Sequence, residues 1–136
     1  MHQITEVAAF LHPMPAPDRT YPDDVLIDMR EDTDRLREEY AADLEAKALG
    51  TETDPLILAL QQAKQDKEEA DRRTRLLIAY AREFHAPRRY SLNELGNASG
   101  YTFSGVRTAY GDREIEQVQG EIGRAPRRAA SGEETA

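Results

Sequence analysis

From residue 56 to residue 84, apolar or small side chains recur at strictly alternating intervals of four and three: Leu56, Leu60, Ala63, Lys67, Ala70, Thr74, Leu77, Ala81 and Phe84. This is a heptad seam with polar interruptions at Lys67 and Thr74, and it predicts one long helix from about Pro55 to His85. Pro55 suits the first turn, where its missing N–H costs nothing. Both ends of the helix are apolar, and the middle, QQAKQDKEEADRR, is very polar. That distribution fits a helix bridging two packing regions, or a solvated face with no partner. The seam can pair with its own copy, or fold back on the preceding helix as a hairpin.

The preceding helix is predicted from about Val25, with Met29, Leu36, Tyr40, Leu44 and Ala48 on its apolar line. Gly50 is expected to end it, and Thr51 to Asp54 offer caps for the next. Residues 2–12 fit a short helix or strand. The run PMPAPDRTYPDD holds four prolines and continues neither. Beyond Ala86-Pro87, Ser91 and Glu94 form a capping-box pair that opens a short helix. Leu92 and Leu95 face inward, Gly96 is small where two helices would cross, and Gly100 can take the left-handed turn. Tyr101 and Thr102 make the turn, and Val106, Ala109 and Tyr110 give a second helix its inward face. A last helix runs from about Asp112 to Ile122, with Ile115, Val118 and Ile122 inward. The predicted fold class is all-α: a helical hairpin or coiled-coil-like long helix followed by a C-terminal helix-turn-helix unit. The divisions are an N-terminal segment and proline-rich linker (1–24), the long-helix region (25–85), the helix-turn-helix unit (86–123) and a disordered tail (124–136).

Composition narrows the function. With 136 residues, 39% hydrophobic and 32% charged, the core is modest and the surface heavily solvated. Cysteine is absent, which removes disulfides, thiolate metal sites and cysteine nucleophiles. His2, His12 and His85 are too scattered for a metal cluster, so no metal or cofactor is expected. No P-loop, G-x-S-x-G, H-E-x-x-H or G-x-G-x-x-G is present, and the carboxylates of residues 23–45 read as a solvated helix face; an enzyme is not expected. No apolar run is long enough for a membrane span and the N-terminus does not read as a signal peptide, so the expected location is the cytoplasm. The net charge of −8 is unevenly spread: residues 1–71 carry −11 and residues 72–132 carry +5. That asymmetry points to binding by the basic part, although arginine on solvated helices is also common.

The segment from Ser91 to Gly111 resembles the helix-turn-helix of bacterial and phage repressors, the lambda-repressor class included. Gly96, Gly100, Val106 and Ala109 occupy the family's small, glycine, aliphatic and apolar places, and SGVRTAY is similar to recognition helices of actinobacterial regulators. Gly96 departs from the commoner alanine, and Phe103 stands where polar base-readers are frequent. The resemblance implies sequence-specific binding of double-stranded DNA, with the second helix in the major groove. By this register Thr102, Phe103, Ser104, Arg107 and Thr108 point outward. Arg107 would read guanine or bind a phosphate, and Phe103 would touch a thymine methyl or pack between the helices. Arg88, Arg89, Tyr90 and Arg113, with the tail arginines Arg124, Arg127 and Arg128, would bind phosphates. The role implied is a transcriptional regulator, most often a repressor, acting as a homodimer and associated with the nucleoid. The alternatives are a helical protein–protein adaptor whose acidic N-terminal half takes a basic partner, and a phage or plasmid protein for DNA packaging, partition or excision.

Overall fold

The computed structural model describes residues 2–85 and 90–127, and these residues form six helices and no strand. The helices are α1 (His2–Leu11), α2 (Asp23–Thr51), α3 (Pro55–Glu83), α4 (Leu92–Ser99), α5 (Phe103–Thr108) and α6 (Asp112–Ile122). The all-α class is as the sequence predicts. The chain divides into two compact units, Met1–Gln65 and Asp66–Ala136, with α3 running unbroken from the first into the second.

In the first unit the segment open to helix or strand is a helix, α1. It buries Ile4, Val7 and Ala8. Ile4, Val7 and Leu44 form a small core, joined at its edge by Tyr40, Ala41, Leu58 and Ala59. Arg37 reaches from α2 to the end of α1, donating through Nε to the His12 carbonyl (2.8 Å) and through Nη2 to the Ala9 carbonyl (3.1 Å). A guanidinium on the last carbonyls satisfies orphaned acceptors and complements the helix dipole. His12 also meets the Tyr40 ring edge-on at 5.5 Å. These contacts correct the predicted apolar line of α2. Leu36 is exposed, and the inward positions between Met29 and Tyr40 are held by Thr33 and Arg37. Thr33 hides its hydroxyl by donating to the Met29 carbonyl at 2.9 Å.

The end of α2 also differs from the expectation. Gly50 lies inside the last turn, and the left-handed C-cap is Glu52, at φ 53°, whose N–H bonds the Ala48 carbonyl. Asp54 then opens α3 by accepting from the N–H groups of Leu56 (2.8 Å) and Ile57 (3.3 Å). The α2–α3 packing uses Leu58 and Ala59, not the heptad seam. Leu56 and Leu60 of the seam stay exposed, as do all residues from 60 to 68.

The second unit is built on the end of α3. Ile78, Ala79, Ala81 and Phe84 are buried there, with Val106 from α5. Tyr80 stacks on Phe84 (5.9 Å) and meets His85 edge-on (4.8 Å). Two charged residues are buried beside them. Glu83 accepts from the Tyr110 hydroxyl at 2.5 Å, and the Arg82 guanidinium lies 5.8 Å from the centre of the Tyr110 ring.

Candidate nucleic-acid interface

The helix–turn–helix is assembled by local chemistry that the sequence spells out. Ser91 Oγ accepts from the Glu94 N–H (3.0 Å) and Glu94 Oε1 accepts from the Ser91 N–H (3.2 Å), a reciprocal capping box that starts α4. Gly100, at φ 79°, ends α4 with its N–H on the Gly96 carbonyl at 2.8 Å. Ser99 Oγ donates to the Leu95 carbonyl (2.6 Å) and accepts from the Tyr101 N–H (3.2 Å), which directs the chain into the turn. Thr102 caps α5 by accepting from the Gly105 N–H at 2.9 Å. Val106, with no exposed surface, pins α5 to the unit.

The turn is tight around two glycines. A Cβ on Gly96 would stand 2.9 Å from the Tyr101 carbonyl oxygen, and one on Gly105 would stand 3.0 Å from Thr102 Oγ1. The first gives Gly96 a local reason to lack a side chain. The second gives Gly105 a task inside the motif, clearing the α5 cap.

Of the residues expected to meet DNA, Phe103, Ser104, Arg107 and Thr108 are exposed on one face of α5. Phe103 is 59% exposed, which decides against its packing between the helices. The hydroxyls of two others are engaged: Thr108 Oγ1 donates to the Ser104 carbonyl (2.8 Å), and Thr102 Oγ1 makes the cap. Arg107 has no ion-pair or hydrogen-bond partner among the described residues, and the same is true of Arg113, exposed in the first turn of α6. Tyr90 is partly exposed, with its ring edge-on to His85 at 5.6 Å. Arg88, Arg89 and Arg128 lie outside the described residues.

Much of the basic half's charge is spent internally. Glu69 binds Arg72 (2.6 Å) and Arg73 (3.2 Å), and the hydrogen bond from Arg72 leads in holding its carboxyl down to about 2. Arg75 pairs with Asp71 and, at 3.6 Å, with Glu114. Asp71 also accepts from the Tyr101 hydroxyl at 2.7 Å, which raises the phenol above its ordinary pKa. Arg124, expected on a phosphate, instead donates to the Phe84 carbonyl (2.9 Å) and lies 5.7 Å from the centre of the Phe84 ring. No sequence signal marks that bond, because its partners are 40 residues apart.

Comparison with protein-family models, curated proteins and solved structures gives no match. Among the described residues no helix is long and apolar enough to cross a membrane.

Proposed function

We propose that this protein binds double-stranded DNA through the exposed face of α5 and acts as a transcriptional regulator at the nucleoid. The observation that carries the reading is α5 itself: Val106 is held inward while Phe103, Ser104, Arg107 and Thr108 face solvent, with Arg107 unpartnered among the described residues. Arg107 is a planar donor fork suited to the O6 and N7 edge of guanine. Phe103 offers an apolar edge to a thymine methyl. Arg113, with Arg88 and Arg89, supplies the charge for backbone phosphates.

Fluorescence anisotropy with a duplex selected from a random library tests the reading. Binding is expected to weaken with salt, and Arg107→Ala to cost about 1–3 kcal/mol if the side chain reads a base. No binding at low salt rejects DNA as the ligand.

A second reading is favoured by one specific observation, the internal use of Arg72, Arg73, Arg75, Arg82 and Arg124. With so many arginines committed, the same face of α5, led by exposed Phe103, suits a protein surface as an adaptor. Under that reading Phe103→Ala abolishes binding to the partner, while DNA affinity is absent throughout.

A further inference from the structure

Most of the heptad seam of α3 is not what holds this chain together: only its last two positions, Ala81 and Phe84, are buried. Leu58 and Ala59 pack in the first unit, and Ile78, Ala79, Ala81 and Phe84 are buried in the second. Between these regions the seam faces outward. Leu60 is 59% exposed and Leu77 is 67% exposed, with exposed Ala63, Lys67 and Ala70 and half-buried Thr74 between them. At about 1.5 Å per residue this strip is about 26 Å long. Its sequence carries both a spacing and a charge pattern that say what fits on it.

We propose that the strip from Leu60 to Leu77 pairs with the same strip of a second copy, the two helices running antiparallel. In heptad terms Leu60, Lys67 and Thr74 hold the a positions and Ala63, Ala70 and Leu77 the d positions. A parallel pair sets each a position against its own copy, so Lys67 faces Lys67 in one core layer. It also sets the flanking Asp66 against Asp71 of the other copy, twice by symmetry. Reversing one helix removes both conflicts. Each a position then meets a d position: Leu60 meets Leu77 at both ends of the strip, Ala63 meets Thr74, and Lys67 crosses the small Ala70.

The flanking charges become complementary in the same register. Asp66 lies beside Arg73 of the second copy, and Lys64 beside Asp71. Arg73 uses Nε for Glu69 and has further donors on its fork. Asp71 already receives Tyr101 and Arg75, and a carboxylate has acceptor sites for a third donor. The small residues in the middle let the backbones approach closely, and the lysine stem lies along the partner with its ammonium in water. One lysine at an a position fixes register at some cost in stability.

This pairing goes beyond the DNA-binding reading and does not depend on it, so the test uses no DNA. The chain has no cysteine, which makes single-cysteine variants clean probes. Ala63→Cys and Thr74→Cys full-length proteins are oxidised separately and as an equimolar mixture, after circular dichroism confirms native helicity. The antiparallel register predicts a covalent dimer in the mixture, containing one chain of each variant, and little in either variant alone. A disulfide dimer forming readily in Ala63→Cys alone indicates parallel helices and overturns the proposal. So does a sedimentation mass of one chain for the unmodified protein at micromolar concentration, which would leave the strip to a different protein.

Discussion

Gly96 and Glu52 are opposite cases of one backbone problem. At Gly96 a side chain is forbidden by neighbours, since the Tyr101 carbonyl would stand 2.9 Å from a Cβ. Gly96→Ala forces α4 and the turn apart and is expected to destabilise the second unit by about 1–3 kcal/mol in urea unfolding. An alanine variant as stable as the parent would show that the turn has slack. At Glu52 the side chain is present but its backbone is held at φ 53°, a conformation that costs a non-glycine residue about 1 kcal/mol. Glu52→Gly is therefore expected to raise stability by roughly that amount, read as an increase of several degrees in Tm. The sequence marks Gly50, two residues too early, as the stop. Its open surroundings show that nothing tertiary requires glycine there, and α2 simply continues through it. A C-cap defined by where the chain must turn is legible only once the next helix is in place.

At the scale of elements, what was legible followed from short-range rules. The capping box of α4, the glycine stop at Gly100 and the span Asp112–Ile122 all depend on partners within four residues. Which face of a helix packs is a different matter. Periodicity assigned Leu36 to the inside of α2, but Arg37 holds the place because it serves carbonyls of α1 at sequence distances of 25 and 28. The same limit left the seam of α3 open to pairing with its own copy or folding back on α2, when it is Leu58 and Ala59, lying between the seam positions Leu56 and Leu60, that pack with Leu44. In the polar middle of α3, Glu69 organises Arg72 and Arg73 one turn away, and its carboxyl is lowered from 4.5 to about 2. A depressed folded-state pKa means the contribution is fully present above about pH 4.5 and is lost as pH falls through about 2. Titration of the Glu69 carboxyl by NMR should show a midpoint near 2, moving back toward 4.5 in Arg72→Gln. Partial exposure to solvent keeps the effect on global stability small, so the midpoint, not the melting temperature, is the measurement that decides.

For the whole molecule, the sign and reach of charge depend on which arginines remain outside internal pairs. The sequence places eleven arginines in residues 72–132, and counting all of them would imply a steep electrolyte dependence of DNA binding. The fold withdraws Arg72, Arg73 and Arg75 into carboxylate pairs, Arg82 into the unit beside Tyr110, and Arg124 onto the Phe84 carbonyl. On the DNA-binding reading that leaves at most Arg107 and Arg113, unpaired among the described residues, with Arg88, Arg89 and Arg128, which lie outside them, to neutralise phosphates. With about 0.9 per phosphate, the log–log slope of affinity against salt should not exceed about 5 per chain. Arg113→Gln should lower it by about 0.9 for every sequence alike, whereas Arg107→Ala should lower affinity more for the selected site than for random duplex. A slope well above that ceiling would mean that the ion pairs around Glu69 and Asp71 open on binding. In that case Glu69→Gln, which releases Arg72 and Arg73 in advance, would tighten the complex, whereas with those pairs closed it leaves affinity unchanged.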